Sequence, residues 1–304
     1  MQSKCIYYIL ILFLFFSCKR DYEYINHKKG IVDTVFINLD TIRMLNFDDY
    51  FSKIEIIPLS EHYDIILNDS ILNKPRSFLI DDKYLLYVYS LERYNDTPID
   101  TIQFASTTDN TVLRSIPVNH INNYFISYYP IYSKYKNRSY YHPGLSNELF
   151  WIDTDSLSLV PVLFTDYGNK TITPEIMKNR GKIHEHQMLE GGHYAFTANI
   201  FQNNKYYLIE TWYLRNTFLS FYDKQSRKTV TGIDYFTNGM IVSAQEEWFF
   251  PDIHRMTDEA LQFLIRDYRI HSLIDTLYLT EESKIRLKNL KLENNAVIVK
   301  YYFK

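Results

Sequence analysis

Apolar and polar positions alternate along most of this chain in short runs, and acidic or Asn-rich turns separate the runs. "IVDTVFINL" (31–39) and "KIEIIPL" (53–59) alternate with the period of two that a half-buried strand requires. "RSFLIDDKYLLYVYSL" (76–91) reads as two strands around Asp81-Asp82. "PIDTIQFAS" (98–106) and "TVLRSIPV" (111–118) flank the turn "TTDN". The same device recurs around "DTDS" in 148–164, around Asn203-Asn204 in 193–214, and around "KQSR" in 218–236. Helix signals are few. "TPEIMKNRG" (173–181) has a Thr cap, Pro at the first helical position and Gly past the end. "MTDEALQFLIRDY" (256–268) and "TEESKIRLKNLK" (280–291) are the other two, the latter opening on Thr280 and two acids. Hairpins in regular succession predict an all-β sandwich, barrel or propeller. Paired hairpins make a four-stranded blade, and about 285 residues at about 40–50 per blade correspond to five to seven blades.

One apolar run breaks the pattern. Ile6–Phe16 is unbroken, follows Lys4, and ends at Ser17-Cys18 before Lys19 and Arg20. It has the length of a signal-peptide core and falls short of the roughly 20 residues a spanning helix needs. A cysteine placed there resembles a bacterial lipobox, with Leu14 or Phe15 as its apolar member, so residues 1–18 read as a lipoprotein signal with Cys18 as the acylated residue. The plainer alternative is an ordinary signal peptide with an incidental cysteine. More than one acyl chain gives stable anchoring. Residues 19–30 then form a polar tether and 31–304 a single domain. Cys5 lies within the discarded segment, which leaves no disulfide to hold the fold.

Composition narrows the class. Hydrophobic residues make up 46% of the chain, enough for a substantial core, and the 28 Tyr and 20 Phe favour strands. Net charge is -3, with no basic stripe, which argues against a nucleic-acid partner.

Several stretches resemble one family, the six-bladed β-propeller lipoproteins of the Bacteroidota. "FDDYFSKIEIIPLS" (47–60) looks like its opening, and "SNELFWIDTDSLSLVPVLFTDYGNKTITPE" (146–175) is similar to its middle signature. "YYLIETWYLRNTFLSFYDKQSRKTV" (206–230) resembles its later strand pair, and "LKNLKLENNAVIVKYYFK" (287–304) its C-terminal helix and closing strand. The resemblance implies six blades and an envelope location, and little about activity. The chain departs from the family between 85 and 125, where the Gly-x-Gly-Pro-x-Glu-Tyr turn is missing, so a reduced or missing blade is expected there and five to seven blades stay open.

Candidate chemistry is sparse. "KIHEHQMLEGGHYAF" (182–196) carries His184, His186 and His193, and His-x-His on a strand points both rings to one face, as zinc or copper sites use. The competing reading is a polar strand edge and a Gly-Gly turn, and without a convergent third ligand the expectation is no metal and no cofactor. The Tyr-rich stretch 123–142 offers Tyr128, Tyr129 and Tyr132. With Trp212 and Trp248 they are the candidate ligand-stacking aromatics, against the alternative that such rings fill the space between sheets. Glu246, Glu247 and Asp252 surround Trp248, but neighbouring residues on a strand face opposite ways, so Glu246 and Glu247 make a poor acid–base pair. No Gly-x-Ser-x-Gly, phosphate loop or dinucleotide fingerprint occurs.

The functional expectation is therefore an envelope-anchored lipoprotein with a non-catalytic binding or scaffold role, holding a glycan, a peptide or another envelope protein. The alternative is a propeller-type glycosidase or polysaccharide lyase, which two carboxylates converging at one end of the central channel would favour. A ring must also be closed, and "TVFINL" (34–39) and "AVIVKYYF" (296–303) are the terminal strands expected to meet in one blade.

Overall fold

Short amphipathic runs separated by polar turns leave each strand dependent on its neighbours, and four sheets result. The computed structural model describes residues 32–58, 76–89, 100–118, 131–142, 147–171, 194–214, 216–237, 252–265, 270, 274, 276–290 and 297–304. Asp33–Lys304 forms one compact unit. The first sheet is β4 (Arg76–Leu79), β5 (Tyr84–Tyr89), β6 (Asp100–Ser106) and β7 (Val112–Val118), antiparallel in that order. The second is β8 (Ile131–Tyr135), β9 (Arg138–His142), β10 (Glu148–Asp153) and β11 (Ser158–Asp166), with β1 (Asp33–Phe36) added parallel to β11. The third is β12 (Phe196–Gln202), β13 (Tyr206–Tyr213), β14 (Asn216–Asp223) and β15 (Lys228–Thr237), with β2 (Arg43–Asn46) added parallel to β15. The fourth orders β16 (Asp252–Met256), β17 (Ala260–Ile265), β18 (Val297–Phe303) and β3 (Phe51–Pro58). The fold is all-β in character, and none of these sheets closes into a barrel.

All five predicted hairpin turns form, and in each an acidic or Asn side chain folds back onto the turn's own amides, Asp109 Oδ1 accepting from the Thr111 amide in the β6–β7 turn. Asp81 Oδ1 accepts from the amides of Lys83 and Tyr84 at 2.8 and 2.9 Å. Asn203 Oδ1 accepts from Lys205 and Tyr206, and Asp223 Oδ1 from Gln225 and Ser226. Asp153 holds the 154–157 turn through the Asp155 amide and the Ser156 hydroxyl. The sequence reading passed over a sixth turn, Lys136-Asn137, where both residues have positive φ (48° and 60°), as two-residue hairpin loops require.

Three apolar clusters lie between successive sheets. Leu86, Ile102 and Phe104 of the first sheet pack with Tyr141 and Ile152 of the second. Tyr140, Leu149 and Leu163 of the second pack with Ile200, Ile209 and Phe218 of the third. Leu208, Leu219 and Phe221 of the third pack with Leu261, Phe263, Val299 and Tyr301 of the fourth. Tyr140 and Tyr141 thus fill the two spaces on either side of one strand. That is the packing role weighed for the Tyr-rich stretch.

The N-terminal segment joins these sheets in turn. It contributes β1 to the second, β2 to the third and, after the one-turn helix α1 (Phe47–Tyr50), β3 to the fourth. β2 approaches β15 closely at Gly232, where a Cβ would stand 2.4 Å from Leu45 Cγ. The free edge of β3 is covered by the helix α2 (Glu281–Lys288), whose N-cap Thr280 accepts from the Ser283 amide. Ser283 Oγ accepts from the Ile56 amide at 3.0 Å and Arg286 Nη1 donates to the Ile56 carbonyl at 2.9 Å, so this edge is not open to pairing.

Three expectations are corrected. The stretch 85–125, expected to carry a shortened or absent blade, instead contributes to a complete four-stranded sheet, β4 to β7. Residues 34–39 do not share a sheet with 296–303: β1 pairs with β11, and the N-terminal strand beside β18 is β3, in register from Val297↔Pro58 to Phe303↔Phe51. β3 is longer and buries Phe51, Ile54 and Ile56 on one face, which gives β18 the apolar partner that the four-residue β1 lacks. The proposed helix at 256–268 is instead a turn at 257–259 followed by β17. Ala260, Leu261, Phe263, Leu264 and Ile265 are buried on both faces of a central strand, and pairing to β18 outweighs local helix propensity. The predicted helix at 173–181 lies outside the described residues.

Candidate functional site

Antiparallel succession gives every sheet two different ends. In the first three sheets the tight turns joining first to second and third to fourth strands lie at one end, as does the β16–β17 turn of the fourth; the second-to-third links and the sheet-to-sheet connections lie at the other. The connections carrying Tyr128 and Tyr129 (119–130), His184, His186 and His193 (172–193), and Trp248 with Glu246 and Glu247 (238–251) all start and finish at the second end. Those residues themselves, like Cys18, lie outside the described residues. Tyr132 lies in β8, in register with Tyr141.

Trp212, the remaining candidate, is described, and other groups gather at it. It is the penultimate residue of β13, at the connecting end of the third sheet, and is 38% exposed. Cross-strand pairing sets Phe196 of β12 on one side and Thr217 of β14 on the other. The Phe196 ring meets the indole edge-on at 5.8 Å, and Trp212 Nε1 donates to Thr217 Oγ1 at 3.0 Å, which fixes the ring's orientation. One step deeper on the same face, Asn199 Nδ2 donates to Glu210 Oε2. Asn199 Oδ1 has no partner among the described residues. The register shift between Thr197 and Asn199 brings Asn199 opposite Glu210 while Thr197 keeps the other face. The assembly is thus a half-exposed aromatic ring above an amide and a carboxylate. Stacking with hydrogen-bond acceptors beneath suits a hydroxyl-bearing ring, and Glu210 is the one carboxylate placed there. Sequence reasoning found Trp212 but missed Phe196, Asn199, Glu210 and Thr217. The signal was present as their cross-strand register, which becomes readable once the Asn203-Asn204 turn is placed.

The opposite face of the third sheet meets the second through buried hydroxyls. Thr165 and Thr197 hydroxyls are 2.5 Å apart, and the Tyr167 hydroxyl lies 2.7 Å from Thr197 and 3.0 Å from Thr211. Asp166 holds the turn below, accepting from the Gly168 amide and the Thr171 hydroxyl, with Gly168 at φ 65°. Fully buried His142 lies nearby with Nδ1 2.9 Å from the Glu148 carbonyl. Burial holds its imidazole below the ordinary value, against carbonyls of Glu148, Thr197 and Ala198 that favour the charged form. Burial also pushes the Glu148 carboxyl up to about 7.

Carboxylate convergence was the feature expected to separate a binding protein from a glycosidase or lyase. Strand alternation turns Glu148 to the first-sheet side of the second sheet, opposite Leu149, and Glu210 to the fourth-sheet side of the third, opposite Ile209. The two therefore face different inter-sheet spaces. Among the described residues no three His, Cys, Asp or Glu side chains gather as a metal site, and no helix is long and apolar enough to cross a membrane.

No family model and no curated protein matches the chain. A solved crystal structure from Bacteroides fragilis, described as a "putative exported protein", is similar at a TM-score of 0.41 and 10% identity, over 90% of this chain and 99% of that one.

Proposed function

We propose that this protein is a lipid-anchored envelope lipoprotein, built as a β-propeller, that binds a glycan without cleaving it. The observation that carries the binding role is the Trp212 site: an oriented, half-exposed indole with Asn199 and Glu210 beneath it on the first two strands of a sheet. Support for the propeller comes from four successive antiparallel sheets sharing apolar cores pairwise, and from β3 completing the sheet of the C-terminal strands. In that reading β12 lines the axial channel and Trp212 stands at its mouth. The described strands supply four blades. The six implied by the family resemblance call for further sheets from residues outside the described ones, and the longest interval there between two sheets, 172–193, is about half of a 40–50-residue blade.

Stacking on the sugar's apolar face, with Glu210 accepting from its hydroxyls and Asn199 orienting that carboxylate, accounts for the residue types. The test is affinity measurement on a glycan array followed by titration calorimetry. Wild-type protein should bind at least one glycan, and Trp212→Ala should weaken that binding at least tenfold with melting temperature nearly unchanged. The bound glycan should be recovered uncleaved. Equal affinity in the variant, or release of reducing ends, would contradict the reading. The anchor rests on the Ser17-Cys18 junction. Cys18→Ser should abolish palmitate labelling and move the protein out of the membrane fraction.

A further inference from the structure

The tight-turn end of the same sheets holds a second, chemically opposite arrangement. Lys224, in the β14–β15 turn, folds back over the sheet rather than into solvent. Its ammonium lies 4.0 Å from the centroid of the Tyr207 ring and 5.2 Å from that of Tyr135 in the second sheet. Nζ donates to the Asn203 carbonyl at 2.6 Å and to Gln202 Oε1 at 3.4 Å, which accounts for two of its three N–H bonds. No carboxylate comes within ion-pair distance of it among the described residues. Asp33 and Asp258 act on it at longer range, and Lys136 opposes them. Beside it Gln202 is 7% exposed, and its Nε2 has no partner among the described residues.

Two costs therefore coincide in one place. A half-buried ammonium has no carboxylate within ion-pair distance, and a buried amide NH2 has no acceptor among the described residues. Gln202 Oε1 already touches Nζ, so its amide nitrogen is within about 6 Å of the ammonium by side-chain geometry. A water molecule could accept from the amide but would leave the ammonium without a close ion-pair partner. An oxyanion between the two answers both, and the rings of Tyr135 and Tyr207 would shield that pair from solvent.

We propose that Lys224 Nζ and Gln202 Nε2, with Lys136 adding positive potential, form an oxyanion site for the carboxylate or phosphate group of a ligand, distinct from the Trp212 site at the other end. The site faces the junction of the second and third sheets. Tyr135 donates there to Asn204 Oδ1 at 2.7 Å, and the Asn204 amide donates to Asp258 of the fourth sheet at 2.6 Å. Occupancy would therefore also brace a junction of three sheets.

The test is thermal unfolding of the full chain in rising inorganic phosphate or acetate, against chloride at matched ionic strength. A saturable rise in melting temperature is expected with at least one oxyanion. The arm that saturates at lower concentration separates a phosphate ligand from a carboxylate one. Lys224→Met should abolish the rise and Gln202→Leu should weaken apparent affinity at least fivefold. Lys228→Met, an exposed lysine on the same hairpin, should leave it intact. No rise with either anion, or a rise that survives Lys224→Met, overturns the proposal. If Lys224→Met does not fold, Gln202→Leu decides alone: unchanged affinity there overturns it.

Discussion

Glu148 shows how one half-buried carboxyl shapes the response to pH. Its folded-state value of about 7 lies above the ordinary 4.5 because burial disfavours the charged form. Below pH 4.5 both folded and unfolded chains carry its proton. Between 4.5 and 7 the unfolded chain gives the proton up first, so stability falls as pH rises through that window. That difference corresponds to a loss on the order of 3 kcal/mol by pH 8. His142 has the opposite sign: buried neutral, it costs stability as pH falls below its ordinary 6.5. Glu148→Gln should therefore stabilise the protein at pH 8 and leave pH 4.5 little changed. Chemical denaturation at the two pH values reads this directly, and equal effects at both would contradict it. None of this was legible in the sequence. Glu148 sits in an alternating run where a surface acid is the ordinary expectation, and its burial depends on residues far along the chain.

At the scale of elements, strands and turns were legible because they are local. An alternating run followed by Asp or Asn carries its own pairing instruction, and Asp81, Asp153, Asn203 and Asp223 cap their turns with side-chain oxygens. What local pattern could not convey was competition between partners. Residues 260–265 have helix-compatible composition but become a central strand because β18 offers a full antiparallel ladder. The parallel additions β1 and β2 were equally hidden, since nothing in "DTVF" or "RMLN" names its neighbour. Gly232 records one of these pairings. Any side chain there would drive into Leu45 and the Arg43 carbonyl, so Gly232→Ala should push β2 off β15 and withdraw Leu45 from the core. Overpacking of this kind costs about 1–3 kcal/mol. A lowered melting temperature with faster amide exchange in β14 and β15 is expected, and an unchanged exchange pattern would show that β2 is not held there.

For the whole molecule, the account depends on the two ends of the described chain meeting. The sequence pointed to a shared terminal sheet but named the wrong N-terminal strand, because the strength of a strand as a partner depends on the apolar face it buries. Phe51, Ile54 and Ile56 supply that face, and their rings and branches pack with Tyr301, Val299 and Phe263 in the largest cluster. The candidate site was legible only in Trp212, since its neighbours are assembled by register across three strands. The direct measurement of end-joining is a cross-link between β3 and β18. Lys53 and Tyr302 are paired residues on these strands, far apart in sequence. In a chain with Cys5 and Cys18 replaced, Lys53→Cys with Tyr302→Cys should form an intramolecular disulfide in air. Closing a loop of that length should add about 5 kcal/mol on the chain-entropy estimate, seen as a higher melting temperature that reductant reverses. Free thiols, or disulfide-linked dimers with an unchanged melting temperature, would show that the ends do not meet.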